Sequence, residues 1–183
     1  MILGMNEVEV KARLKNKEEV IRLLKDRGVS FNKAITQIDT VYSPVNEPVP
    51  TPRGSNVLRI REQDGVNIFT LKQPRENQLD CLEYETVFTD KDQMEKIILT
   101  LGFHPRTRVS KTRQKAKYND LEICLDEVEE LGSYIEVEKI TSEEPLKVQE
   151  ELMSFLLELG VSKEDQVFDG YDVLLLKKAG KIF

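Results

Sequence analysis

One histidine, His104, and two cysteines, Cys81 and Cys124, are all that the 183 residues hold of those types. A lone histidine excludes His-rich metal sites and most Ser-His or Cys-His catalysis. With no CxxC and no Cys/His cluster, the cysteines make no disulfide framework and read as ordinary thiols. No apolar run approaches the roughly 20 residues of a membrane-spanning helix. The start, Met1-Ile2-Leu3-Gly4-Met5, lacks the basic flank and long apolar stretch of a signal peptide. A cytosolic location is therefore expected. A basic excess is missing too. The chain sets 27 Lys+Arg against 33 Asp+Glu, a formal charge of −6, which argues against a general nucleic-acid binder. Carboxylates are the only oxygen donors in quantity, so a bound metal would be Mg or Mn.

What is present is alternation. Charged and apolar residues take turns, the pattern of half-buried strands. It runs through Glu7–Leu14, Asn56–Arg61, Ile68–Lys72, Leu82–Phe88, Arg108–Lys117, Leu121–Asp126, Ser133–Ile140 and Asp172–Leu176, and more weakly through Gln37–Tyr42. Asp64-Gly65 and Asn119-Asp120 supply turns. Helical spacing marks residues 17–27 after the N-cap Asn16, 90–101 after Thr89, and 145–159 opening on Pro145. Three times an alternating strand runs into a helix that closes on glycine, at 7–28, 82–102 and 134–160. Ser43–Asn56 holds four of the seven prolines and reads as a long mobile loop. His104, just after a helix, reads as a loop residue. The order of elements predicts a largely antiparallel α+β domain, and no composition shift marks a domain boundary within 1–183.

Side chains on a strand alternate faces with period two. Glu7, Glu9, Lys11 and Arg13 therefore share one face, and Val8, Val10, Ala12 and Leu14 the other. Arg59 joins Arg61, Glu83 joins Glu85, Lys111 joins Arg113, Lys115 and Lys117, and Glu136 joins Glu138. A sheet with one solvated face accounts for any one of these strands. The total strains that account, because three apolar helix stripes are available to cover the apolar faces. A sheet curled closed with helices outside would turn the charges inward. Many enclosed charges of both signs are costly without a ligand to organise them. A polyanion with a divalent cation meets that need: Lys and Arg grip phosphate oxygens, and carboxylates hold the metal.

Glu7-Val8-Glu9-Val10-Lys11 resembles the ExExK signature of the CYTH superfamily, the triphosphate tunnel metalloenzymes. Val57-Leu58-Arg59, Leu71-Lys72-Gln73-Pro74, Glu83-Tyr84-Glu85, Lys111-Thr112-Arg113, Leu125-Asp126 and Leu131-Gly132-Ser133-Tyr134-Ile135-Glu136-Val137-Glu138 follow in the family's order. Leu101-Gly102-Phe103-His104-Pro105, followed by Lys111-x-Arg113, is similar to the class IV adenylate cyclase (CyaB-like) branch.

The resemblance implies a single CYTH-like domain, an eight-stranded antiparallel barrel with a charged lumen and helices packed outside. It implies a triphosphate substrate with Mg or Mn. Lys11, Arg59, Lys72, Lys111 and Arg113 match the phosphate-gripping positions, with Arg61, Glu83 and Glu85 as second members. Glu7, Glu9, Asp126, Glu136 and Glu138 match the acidic, metal-holding positions, Glu9 and Glu136 foremost. Tyr171 resembles an aromatic position near the tunnel end, and core packing explains it equally well. The implied activity is conversion of ATP to cyclic AMP and pyrophosphate. Two alternatives stay open: hydrolysis of inorganic triphosphate, thiamine triphosphate or a nucleotide, and non-catalytic binding of polyphosphate or nucleotide. Neither nucleic acid nor membrane is an expected partner, and the family often forms homodimers.

Overall fold

Alternation turns into strand almost wherever it occurs. A computed structural model describes residues 6–75 and 80–182. The strands are β1 (Asn6–Arg13), β2 (Ile35–Pro44), β3 (Val57–Gln63), β4 (Val66–Pro74), β5 (Asp80–Phe88), β6 (Phe103–Tyr118), β7 (Leu121–Val128), β8 (Gly132–Thr141) and the two-residue β9 (Gln166–Val167). The helices are α1 (Lys17–Asp26), α2 (Lys91–Thr100), α3 (Pro145–Glu158) and α4 (Tyr171–Lys178). The strands pair in the order β5-β4-β3-β2-β6-β7-β8-β1-β9, and β5 also pairs with β1. That order is the topology of a closed eight-stranded antiparallel barrel with one added strand and four helices, the expected α+β class.

The chain divides into two units, Met1–Ala34 with Thr112–Phe168, and Ile35–Lys111 with Asp169–Phe183. In the first unit β1 pairs with β8 in register Glu9↔Glu138, and β7 pairs with β8 in register Glu122↔Glu138. Its core joins Val8, Val10, Ile123, Leu125, Ile135 and Val137 of the strands to Val20 and Leu24 of α1 and to Val148, Leu152 and Leu156 of α3. In the second unit β2 to β5 form consecutive antiparallel pairs. Leu58 and Ile60 pack there with Tyr42 and with Ile98 of α2. Within each unit the helices thus cover the apolar face of the strands, which leaves the charged residues on the opposite face.

The caps are local. The Asn16 side chain accepts the Glu19 backbone N–H, and the Asp90 side chain accepts that of Gln93. The second cap is therefore Asp90 itself, one residue after the expected Thr89. The strand–helix–glycine unit recurs as β1–α1, β5–α2 and β8–α3. Gly28, Gly102 and Gly160 end them at φ of 82°, 84° and 78°, which a residue with a Cβ adopts only at a cost.

Three expectations change. Asp172–Leu176, read as a strand, lies in α4. A short apolar run such as Val173-Leu174-Leu175-Leu176 carries no periodicity of its own, and Leu and Lys favour helix once tertiary packing permits it. His104 and Pro105 belong to β6, whose 16 residues begin at Phe103. The proline-rich segment starts later than expected, because Ser43 and Pro44 complete β2.

Candidate active site

The first unit carries an acidic face. Across β1, β8 and β7 the register sets Glu9, Glu138 and Glu122 in one row, and Lys11, Glu136 and Cys124 in the next. Like charges directly opposite repel unless something intervenes. In the second row cations intervene. Lys11 Nζ lies 3.4 Å from Glu9 and 3.2 Å from Glu136. Arg113 donates from Nε to Asp126 Oδ1 at 2.7 Å, and its Nη2 makes close contacts with both Asp126 and Glu136. Burial disfavours the charge on Lys11 and on Arg113, but their carboxylate partners outweigh it and hold both pKa values above the ordinary range.

The first row is less well neutralised. Glu138 lies 3.9 Å from Arg113 Nη1. Burial, then Glu9, Glu136 and Glu7, push its carboxyl up to about 8, with Arg113 opposing. Glu7, Glu9 and Glu138 bring one carboxylate oxygen each within 4.8 Å of one another. Glu122, Cys124 and Glu138 do the same with the Cys124 thiol, whose pKa burial raises first of all. Lys115 forms a close ion pair with Glu122. Three converging carboxylates, one of them pushed up by burial and by its acidic neighbours, fit a hard divalent cation such as Mg or Mn.

The second unit carries a cationic face. Arg61 grips Asp39 through two hydrogen bonds, Nε to Oδ1 at 2.7 Å and Nη2 to Oδ2 at 2.8 Å. Burial opposes the Asp39 charge, but Arg61, Arg59 and Lys111 hold the carboxyl well below the usual carboxylate range. One row along, Arg59, Thr70 and Glu85 are in register. Arg59 Nη2 donates to Thr70 Oγ1 at 3.0 Å and reaches Glu85 at 3.4 Å. Its Nε is buried with no hydrogen-bond partner among the described residues. Burial, then Arg61, weaken its hold on the proton. Lys72 pairs closely with its cross-strand neighbour Glu83. Burial works against the Glu83 charge, but Lys72 and Arg59 lower its pKa. Lys111 Nζ sits 4.9 Å from the centre of the Tyr171 ring.

Every expected residue thus falls into one of two clusters. Lys11, Arg113, Glu7, Glu9, Asp126, Glu136 and Glu138 meet on the acidic face, and Arg59, Arg61, Lys72, Lys111, Glu83 and Glu85 belong to the second unit. Two members went unread in the sequence. Glu122 has the parity of Asp126 on a strand that was legible. Asp39 sits in the weakly patterned β2, and its parity with Gln37 and Val41 was its only signal.

Among the described residues, no helix is long and apolar enough to cross a membrane. The CYTH domain family matches residues 5–171. A Methanocaldococcus jannaschii protein named "Putative adenylate cyclase" is 33% identical over 171 residues, 91% of this chain and 97% of that protein. The solved structure of a Pyrococcus horikoshii OT3 protein superposes with a TM-score of 0.79 at 28% identity, over 94% of this chain and 99% of that one. A Hippeastrum protein, described as a "putative adenylyl cyclase" with a dominant triphosphatase activity, shares the fold at a TM-score of 0.60 and 18% identity, over 97% of each chain.

Proposed function

Because this chain belongs to the CYTH domain family, we propose that it is a metal-dependent enzyme acting on a triphosphate substrate. One observation carries the reading. The chain keeps one face short of positive charge and another with a buried arginine N–H that nothing in the described protein accepts. A divalent cation suits the first face, and phosphate oxygens suit the second.

Glu7, Glu9 and Glu138 would hold the cation, with Asp126 and Glu136 held in place by Arg113 and Lys11. A divalent cation there would neutralise charge on phosphate oxygens and on the leaving group. Lys11, Arg59, Lys72, Lys111 and Arg113 would grip the phosphates, and Arg61, tied to Asp39, would fix the field around Arg59. Lys72 would exchange its partner Glu83 for a phosphate oxygen.

The relative at 33% identity favours the cyclase reaction. The ribose 3′-hydroxyl attacks the α-phosphorus of ATP, the bond from that phosphorus to the bridging oxygen breaks, and pyrophosphate leaves. Hydrolysis is the second reading, because the same grip serves it. Water attacks a phosphorus and a phosphate or pyrophosphate leaves. Simple anion binding is disfavoured, since the surplus carboxylates would repel the ligand. Incubation of the protein with ATP and Mg or Mn decides. Cyclic AMP with pyrophosphate supports the cyclase, release of orthophosphate or pyrophosphate without cyclic AMP supports the hydrolase, and tight ATP binding indifferent to chelator supports the binder.

A further inference from the structure

Arg106 lies on β6 five residues before Lys111, outside every pattern that the charged faces follow. Its guanidinium is largely buried, with 11% of the side chain exposed. It joins three segments of the second unit. Nη1 donates to Thr51 Oγ1 at 3.1 Å, in the segment between β2 and β3. Nη2 makes a close ion pair with Asp172, in the first turn of α4. Its Nε is buried and unpartnered among the described residues.

Asp172 is held close to its own helix start. A Cβ at Gly170 would stand 2.6 Å from Asp172 Oδ1, so glycine leaves that carboxylate the space it occupies. Between them is Tyr171, 6% exposed, whose ring faces the Lys111 ammonium. A cation over an aromatic face is attracted by the ring's quadrupole, more strongly where water is excluded. Lys111 is 5% exposed, so the ring, together with the Asp39 carboxylate that feels the same charge, bears on where that charge sits.

We propose that Arg106 is a positioning residue: by anchoring Asp172 and the start of α4 it holds the Tyr171 ring against Lys111, and so aims that ammonium at the phosphate. The proposal rests on the reading of Lys111 as a phosphate-gripping group. Arg106 itself touches no phosphate. The Thr51 hydrogen bond ties the β2–β3 segment to the same guanidinium, so that segment and α4 are set by one group.

Binding of inorganic triphosphate in Mg-containing buffer, followed by calorimetry, tests this. Lys111→Ala weakens binding by about tenfold, the scale of one charge-assisted hydrogen bond. Arg106→Ala and Asp172→Asn each weaken it about threefold to tenfold, and a cooperative thermal melt of each variant checks that the fold is kept. Adding Arg106→Ala to Lys111→Ala costs nothing further, since residues acting through one group are not additive. Tyr171→Leu, which fills the core without a ring, matches Arg106→Ala. Full additivity of the Arg106 and Lys111 substitutions overturns the proposal. So does an unchanged affinity in Arg106→Ala while Lys111→Ala is weakened. An unchanged affinity in Lys111→Ala instead removes the phosphate-gripping reading on which the proposal stands.

Discussion

The acidic face sets Glu7, Glu9, Glu122, Asp126, Glu136 and Glu138 against Lys11, Arg113 and Lys115, with Arg13 and Lys117 exposed farther along the same strands. The cationic face sets Arg59, Arg61, Lys72 and Lys111 against Asp39, Glu83 and Glu85. Both are made in the same way, from alternating strands whose apolar side lies under helices. Their carboxylates respond in opposite directions. Glu138 is pushed up to about 8, whereas Asp39 and Glu83 are held down. Burial raises all three, so burial does not account for the difference. The sign of the surplus charge around each group does. The electrostatic preference is therefore for a cation on one face and for an anion on the other.

The largest way to break this contrast is to remove a paired cation from the acidic face. Arg113→Met removes the guanidinium from Asp126 and Glu136, which are 0% and 4% exposed, and leaves Lys11 beside Glu136. Stability should fall by about 3–5 kcal/mol, the cost of leaving a buried charge uncompensated, and urea unfolding reads it directly. A loss under about 1 kcal/mol would mean that the pair contributes little. Next comes Glu138→Gln. Metal-dependent turnover should drop by at least the roughly 10–100-fold that follows loss of a partner around a metal, as measured by product release against Mn concentration.

The same substitution tests the sign of the surplus. Folded Glu138 keeps its proton up to about pH 8, whereas an unfolded glutamate releases it near the ordinary 4.5. Its contribution to stability is thus fully present below about pH 4.5 and lost as pH rises through 8. Metal-free wild-type protein should melt progressively earlier between those limits, and Glu138→Gln should flatten the curve. Identical pH profiles for the two proteins would show that the carboxylates on this face do not share a surplus. Asp39 has the opposite sign. Its contribution is present above the unfolded value near 3.9 and is lost only as pH falls further, so Asp39→Asn should leave the slope from pH 5 to 9 unaltered.

On the cationic face, Arg59→Ala should weaken inorganic triphosphate binding about tenfold to 100-fold, the worth of one or two charge-assisted hydrogen bonds. The smallest effect is expected at Lys115, a partly exposed partner of Glu122. Lys115→Met enlarges the acidic surplus. Mn binding should tighten about twofold to fivefold, in keeping with the modest energy of such pairs. Weaker Mn binding would count against a surplus that attracts cations.

Much of this was legible beforehand because parity on a strand is a local property. Lys11 with Glu9, Arg59 with Arg61 and Glu136 with Glu138 were placed on shared faces by counting residues. Glu122 shared the parity of Asp126 and could have been read the same way. Asp39 could not, since its role comes from Arg61 on the neighbouring strand, 22 residues away. Arg106 was equally silent, because its partners Thr51 and Asp172 lie 55 and 66 residues away. The run after Tyr171 was misread as strand because four consecutive apolar residues fit either period.

The residue pattern by itself determined the strand faces, the helix stops at glycine and the two sets of charges, because each depends on neighbours within about four positions. Tertiary structure alone decided which charges neutralise one another. Register put Glu138 between Glu9 and Glu122, and Asp39 beside Arg61. Coulombic interaction falls with distance in space, not along the chain, so the pKa of each carboxylate became readable only once the strands had paired.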